Sequence, residues 1–202
     1  MGKAITISKD YGCGAIELAK ELSEGLGYEY FDKKLVIELA KQMESSEGVV
    51  RSYEVGKSIS MFRFISRYMT EEIVKNILMN KKGYVDDSCY LEALQNLMND
   101  LADRGDVVIV GRGGQCILKD RPDVVHVRLI APLEYKKKHL MQRFGYTDKE
   151  AANLIEMREE NSAQFVKKMF SSYWNDPTLY HVTINLGTVP KDKAIEIIKG
   201  LL

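Results

Sequence analysis

The first apolar run, Ala4-Ile5-Thr6-Ile7-Ser8, is short and β-branched and reads as a buried strand. A glycine-containing turn follows, Asp10-Tyr11-Gly12-Cys13-Gly14, and then a helical stripe of Ile16, Leu18, Ala19, Leu22 and Leu26, closed by Gly25 and Gly27. Tyr28 to Phe31 reads as a second short strand, and Asp32 is placed to cap the helix after it. A strand, a helix and a strand in this order predict a parallel sheet.

From Asp32 to about Arg104 the pattern predicts no strand. Leu35, Val36, Leu39, Ala40 and Met43 form one helical stripe, and Ile59, Phe62, Ile65, Ile73, Ile77 and Leu78 form less regular ones. Lys81 to Asp87 is polar and reads as a loop, whereas Leu91, Leu94, Leu97, Met98 and Leu101 mark an amphipathic helix. Strand signal returns in Val107-Val108-Ile109-Val110, which ends on Gly111-Arg112-Gly113-Gly114. It returns again in Val124 to Ile130, after which Pro132 opens a helix carrying Leu133, Leu140 and Met141. Thr147 with Glu150 is a capping-box pattern that starts a long polar helix reaching about Met169. Val182-Thr183-Ile184-Asn185 is the last strand, and Ile195, Ile197 and Ile198 mark the closing helix.

The expected architecture is therefore an α/β, three-layer α/β/α single domain with a sheet of about five parallel strands. A helical insert occupies about 32–105, and a helical segment about 144–172. In such sheets ligands bind at the carboxyl ends of the strands. Those ends carry Ser8 to Gly14, Asp32, Gly111 to Gly114 and Ala131-Pro132.

Charge and cysteines narrow the class. Lys plus Arg and Asp plus Glu are 29 each, so the net charge is zero, which argues against a general nucleic-acid polymer binder. A local phosphate pocket needs only a few amides and one or two cations. Cys13, Cys89 and Cys116 are odd in number and widely spaced, the usage of reduced thiols in a cytoplasmic protein. No run approaches the ~18 apolar residues of a membrane helix, so no membrane partner is expected.

The glycine turn between first strand and first helix is where P-loop proteins hold phosphate on backbone N–H groups. Set against G-x-x-x-x-G-K-[ST], with Gly14 on the second glycine, the sequence places Lys9 on the first glycine, Ala15 on the lysine and Ile16 on the hydroxyl. The cation for the β and γ phosphates and the magnesium hydroxyl are both missing there. On its own the loop reads either as an anion site or as a plain strand-to-helix turn.

Six segments, in order, resemble the cytidylate kinase-like family, a branch of the nucleoside monophosphate kinases. Ile5-Thr-Ile-Ser-Lys-Asp-Tyr-Gly-Cys-Gly14 resembles its I-S-R-E-Y-G-S-G-G-R-E-I-A opening, and Tyr30-Phe31-Asp32-Lys33-Lys34-Leu35 its Y-Y-D-K-E-L. Val108-Ile-Val-Gly-Arg-Gly113 resembles V-I-V-G-R-G, and Leu129-Ile-Ala-Pro-Leu-Glu134 resembles I-x-A-P-L-E. Arg143-Phe-Gly-Tyr with Glu150-Ala151 resembles R-Y-G-L-S-E-E-E-A, and Trp174-Asn-Asp-Pro177 with Tyr180 and Asn185 resembles W-G-D-P…Y-D-L-x-L-N. There are departures: the family's second basic loop residue falls on Ile16, and the arginines of its last long helix fall on Ser162, Gln164 and Lys167.

The resemblance implies a kinase that transfers phosphate from ATP, with Mg2+, to CMP or a related monophosphate. The same fold emptied of chemistry, as a nucleotide-binding or regulatory protein, is the alternative. It implies that Ser8, Asp10, Tyr11, Gly12, Cys13, Gly14, Ala15 and Ile16 surround the donor phosphates, with Lys9 as surviving cation. Arg112, between Gly111 and Gly113, corresponds to the arginine of a G-R-D motif that faces the acceptor, although Gly113 replaces the aspartate. Arg143, Arg158 or Lys167 would supply the charge that lid arginines carry. Asp32 would approach the metal or the acceptor nucleotide, and Asp10 and Asp176 would contact magnesium or sugar. Each has a plain alternative: Lys9 as a solvated lysine, Arg112 as a structural pair for a helix end, Asp32 as a cap, and Asp10 and Asp176 as turn formers. His126 reads as a packed strand residue, and Cys13 as a bystander or a thiol activated by the helix N-terminus. Met61, Phe62, Phe64, Ile65 and Met69 in the insert fit either a homodimer contact or the core.

Overall fold

The structure, a computed structural model, describes residues 3–32 and 87–202. Most of the expected insert, including its first helical stripes, the 81–86 loop and the Met61–Met69 apolar cluster, lies outside the described residues. The chain divides into two compact units, Met1–Tyr30 with Leu101–Leu202, and Phe31–Asp100.

Strand β1 (Ala4–Lys9) leads through the glycine turn to α1 (Ala15–Leu26) and then to β2 (Glu29–Asp32). The described elements resume with α2 (Asp87–Arg104), β3 (Val107–Val110), a short α3 (Gly114–Ile117), β4 (Val124–Ile130), α4 (Leu133–Phe144) and α5 (Asp148–Phe170). A 3-10 turn (Pro177–Leu179), β5 (Val182–Asn185) and α6 (Lys191–Lys199) complete it. Each expected strand is found within a residue or two of its expected bounds. Short α3 carries too few residues for a periodic signal.

The five strands lie in the order β2-β3-β1-β4-β5, and β1 pairs in parallel with both β3 and β4, as β4 does with β5. The chain runs outward from β1, returns to β3 beside it, then crosses to β4. That reversal about β1 opens a crevice at the carboxyl ends of β1, β3 and β4, the place where open α/β sheets bind ligands.

Register divides the sheet by face. Ile5, Ile7, Val125, Val127, Leu129, Val108 and Val110 turn to one side, where they pack with Leu18, Leu22, Ala194 and Ile198 of α1 and α6. Burial of these side chains at ~25 cal/mol per Å2 is the main favourable contribution to this layer. The other face alternates polar groups in register: Thr6 lies beside His126, and Ser8 beside Arg128. A buried polar group must find a partner there.

His126 does so as a neutral ring. Its Nδ1 lies 2.6 Å from Thr6 Oγ1, its Nε2 3.2 Å from the Leu118 carbonyl, and its backbone N–H donates to His181 Nδ1 at 2.9 Å. Burial, with the His181 ring beside it, depresses its pKa from 6.5 to about 4. The expected packing role of His126 is the one it has.

The Thr147 capping box forms as its sequence predicts: Glu150 N–H donates to Thr147 Oγ1, and Thr147 N–H donates to the Glu150 carboxylate at 2.8 Å. Leu94, Leu97 and Met98 of α2, on the expected stripe, are buried. Among the described residues, no helix is long and apolar enough to cross a membrane.

The depressed His126 pKa has a signed consequence. Below pH 6.5 the unfolded chain takes up a proton that the folded site refuses until about pH 4, so stability falls with pH across that window. Thermal melting of the wild type should decline across this window by at most ~1.4 kcal/mol per pH unit from this group. His126→Asn, which cannot titrate there, should show the shallower decline.

Candidate phosphate-loop site

The loop from Lys9 to Gly14 is fixed from three sides. Asp10 N–H donates to the Leu129 carbonyl at 2.9 Å, which ties the loop to β4. Tyr11 packs on a small apolar cluster of Leu140, Ala151 and Ile155 between α4 and α5. Gly12 has φ 81°, and a Cβ there would stand 3.0 Å from Leu140 Cγ and 3.3 Å from the Lys136 carbonyl. The glycine is thus required both by its left-handed backbone and by the close approach of α4. Gly14, with φ 83°, is the N-cap of α1 and brings no capping side chain to the first N–H groups of that helix.

Ala15 and Ile16 stand where a P-loop has lysine and a hydroxyl. Ala15 is buried in the main core and Ile16 packs against it. Cys13 is buried too, and its thiol contacts the Leu129 carbonyl at 3.7 Å. Burial pushes that thiol up to about 11 and outweighs the neighbouring Ala15 N–H, so it stays protonated at neutral pH and is no nucleophile.

Charge reaches the loop from outside it. Arg128 projects from β4, and its Nη2 pairs with Asp10 Oδ1 at 3.1 Å while its Nη1 lies 3.4 Å from Ser8 Oγ. Its guanidinium stacks 4.2 Å from the Trp174 ring centre and 5.8 Å from that of Tyr180. Trp174 Nε1 donates to Ser8 Oγ at 2.8 Å, and the Tyr180 hydroxyl donates to the Trp174 carbonyl at 2.7 Å. The tryptophan of the W-N-D-P segment is therefore a lid on a buried arginine. Burial pushes the Tyr180 phenol upward.

Asp10 also receives Ala131 N–H at 3.4 Å and faces Lys136 Nζ at 3.6 Å. Lys136 donates in turn to Glu159 at 2.7 Å, and the same carboxylate oxygen accepts Tyr11 N–H at 3.1 Å. Lys9 and Arg158 each lie 5.9 Å from the Tyr11 ring centre. Arg158 also offsets the upward push that burial gives the Tyr11 phenol.

The remaining sequence-predicted residues fall in several places. Gly111, Arg112 and Gly113 all have positive φ, at 79°, 57° and 73°, and Gly111 N–H donates to the Ile7 carbonyl at 2.9 Å. Arg112 is thus brought to the same sheet edge as the loop, in a conformation that non-glycine residues adopt at a cost. Gly113 makes room for Phe170, whose ring lies 2.2 Å from where a Cβ would be. Arg143 is bound to Glu17 of α1 at 2.9 Å. Lys167 is exposed in the last turn of α5, nine residues beyond Arg158. Asp32 is buried at the end of β2. Asp176 caps the 3-10 turn, accepting from Thr178 N and Oγ1 at 2.9 and 2.6 Å, which makes it a turn former.

Sequence reasoning missed Arg128, Lys136 and Glu159. The signals were present: Arg128 is the one charged residue in a strand that is apolar apart from His126, Lys136 is one turn before buried Leu140, and Glu159 is one turn after buried Ile155.

Beside this network, Asp10, Arg128, Ile130, Pro132, Asn175, Pro177, Thr183 and Asn185 are among the residues that line an open cavity of about 610 Å3. Magnesium is poorly served by protein groups. Both Asp10 oxygens are engaged, Ile16 replaces the hydroxyl, and among the described residues no cluster of three metal-ligating side chains occurs.

Comparison with known proteins bears on the fold and the family. A cytidylate kinase from Ignicoccus hospitalis is 28% identical over 146 residues, 69% of this chain and 84% of that protein. An uncharacterized protein from Eubacterium ventriosum superimposes with a TM-score of 0.71 at 21% identity, over 99% of this chain and 98% of that one. A gluconokinase from Sinorhizobium meliloti gives 0.54 at 14% identity, over 98% and 93%. A shikimate kinase from Bacteroides thetaiotaomicron gives 0.51 at 16% identity, over 98% and 97%. These three structures establish the fold alone, that of the P-loop kinases. The model of the cytidylate kinase-like family matches residues 4–188, and the chain belongs to that family.

Proposed function

We propose that the protein is a cytoplasmic nucleoside monophosphate kinase that transfers the γ-phosphoryl group of ATP to CMP or dCMP. The observation that carries this reading is a glycine turn, at the switch point of the sheet and the N-terminus of α1, with cations gathered around it. Lys9 and Arg158 flank Tyr11 at 5.9 Å each, and Arg112 stands on the neighbouring strand end.

Catalysis of this kind is positioning and electrostatics, with no covalent intermediate on the protein. The amides of Gly12 to Ile16 and the positive end of α1 would hold donor phosphates. Arg112 would orient the acceptor monophosphate. Lys9 and Arg158, with Arg143 or Lys167, would offset charge on the transferring group. Magnesium would arrive on the triphosphate, held by its oxygens and water, and would supply charge neutralisation there.

One observation favours a second reading, nucleotide binding without transfer. Ala15 is buried in the lysine position, and two of the three residues in the lid-arginine positions are bonded into their own helix. Ser162 donates to the Arg158 carbonyl at 2.9 Å, and Gln164 to Glu160 at 2.9 Å.

A nucleotide panel separates the readings: calorimetric binding of ATP, CMP, dCMP, UMP and AMP with Mg2+, and ADP release for each pair. ADP release that requires CMP or dCMP is expected. Binding without release supports the second reading, CMP-independent ADP release points to another acceptor, and no binding overturns both readings.

Arg112 gives a sharper test, because its backbone favours glycine. Arg112→Gly removes a left-handed side chain that costs ~1 kcal/mol, partly offset by the freer unfolded chain. Its melting temperature should not fall, yet CMP affinity should drop at least about tenfold, the loss of one charge-assisted contact of ~1.5–3 kcal/mol.

A further inference from the structure

The missing P-loop lysine leaves the loop without a cation at the position where that motif carries one. The structure supplies one from α4. We propose that Lys136 is the phosphate-binding cation of this site, and that Glu159 is an internal stand-in for the phosphate, displaced when an oxyanion of a nucleoside triphosphate binds. This inference rests on the nucleotide-kinase reading and names a site within it.

Three observations carry it. The Lys136 side chain is only 8% exposed, so its ammonium is held away from water and needs an anion. The anion it has at hydrogen-bond distance is Glu159, at 2.7 Å; Asp10 stands off at 3.6 Å. The same Glu159 oxygen accepts Tyr11 N–H, a backbone donor of the glycine loop, at 3.1 Å. A single oxygen that bridges a loop amide and a buried ammonium occupies the coordination that a phosphate oxygen takes in a P-loop.

The charges support exchange. Arg128, Asp10, Lys136 and Glu159 alternate in sign along one connected chain and sum to zero. A phosphate oxygen in place of the Glu159 carboxylate preserves that balance and both hydrogen bonds. Glu159 has a way out, because its side chain, although on the inward stripe of α5, is already a quarter exposed to water. Arg158, adjacent on α5 and already over Tyr11, is on hand for the remaining phosphate charge.

The test compares wild type, Lys136→Met, Glu159→Gln and the double variant. Equilibrium binding of inorganic tripolyphosphate and of ATP is measured by calorimetry, with thermal melting of each protein as the control for folding. Glu159→Gln should bind tripolyphosphate at least tenfold more tightly than wild type, because the competing internal anion is gone. Lys136→Met should bind it at least tenfold more weakly. The double variant removes both charges of the buried pair together and preserves the fold if Lys136→Met alone does not. It should bind as weakly as Lys136→Met, showing that the gain at 159 acts through Lys136. A purely structural ion pair would lower the melting temperature of both single variants and leave tripolyphosphate binding unmoved, which overturns the inference.

Failure of this inference and failure of the kinase reading are distinct. CMP-dependent ADP release with undiminished tripolyphosphate binding in Lys136→Met keeps the kinase and discards the site. Lys136-dependent tripolyphosphate binding with no ADP release for any monophosphate keeps the site and discards the kinase. No binding of tripolyphosphate or ATP by wild type or Glu159→Gln overturns the inference.

Discussion

The site is organised by one buried ion pair, Arg128 with Asp10. Arg128 lies in a buried parallel strand whose other residues, His126 apart, are apolar, and burial of an unpaired guanidinium there would be prohibitive. Breaking a buried pair by removing one partner costs ~3–5 kcal/mol, so the carboxylate of Asp10 is held as firmly as the arginine requires. Asp10 is the first residue of the glycine turn, directly after β1, and fixing it to β4 fixes where the turn begins. Trp174 and Tyr180 cover the outer face of the guanidinium, so the same pair also anchors the segment between α5 and β5. Arginine suits this place better than lysine because a planar guanidinium can stack on an aromatic ring while it bonds in its own plane.

Much of the frame was legible in the sequence. Parallel strands buried on both faces read as apolar runs; Val107–Val110 does so, and Val124–Ile130 does so apart from His126 and Arg128. The Thr147–Glu150 capping box fixed the start of α5 because its two hydrogen bonds are local. The site was less legible, since its charges come from distant elements. In Lys136-Lys137-Lys138 only Lys138 is exposed; Lys137, largely covered, bonds to Glu134 and Asp148. Only helical phase separates Lys136 from its neighbours, and it shares the buried face of α4 with Leu140. Glu159 likewise continues the Ala151–Ile155 stripe. A charge on a buried stripe is a stronger sign of a built contact than a charge in a favourable motif.

The glycine turn shows how a motif's residues can be retained for different reasons. Gly12 is required because α4 presses on the loop, and Gly113 because Phe170 does, so both glycines serve close packing as well as turn geometry. Cys13 sits at a helix N-terminus, where a thiol pKa ordinarily falls, but burial dominates and keeps it neutral. The helix end still has first-turn N–H groups that no cap side chain takes up. An anion site built from backbone survives substitution at positions 15 and 16, whereas one built from their side chains would not.

That distinction bears on what the loss of the loop lysine means. A P-loop lysine reaches the phosphates from within the loop, so it is present whether or not α4 and α5 are in place. A cation delivered by α4 and neutralised by α5 makes phosphate binding depend on how those helices sit against the loop. The apolar contact of Tyr11 with Leu140, Ala151 and Ile155 sets that spacing, and the Asp10–Lys136–Glu159 chain lies beside it. Packing and charge are thereby coupled: a shift of α5 that moves Glu159 off Lys136 also unseats Tyr11. Exchange of the carboxylate for a phosphate lets Glu159 rotate to solvent while Tyr11 stays packed, the lower-cost of the two routes because it gives up no apolar burial.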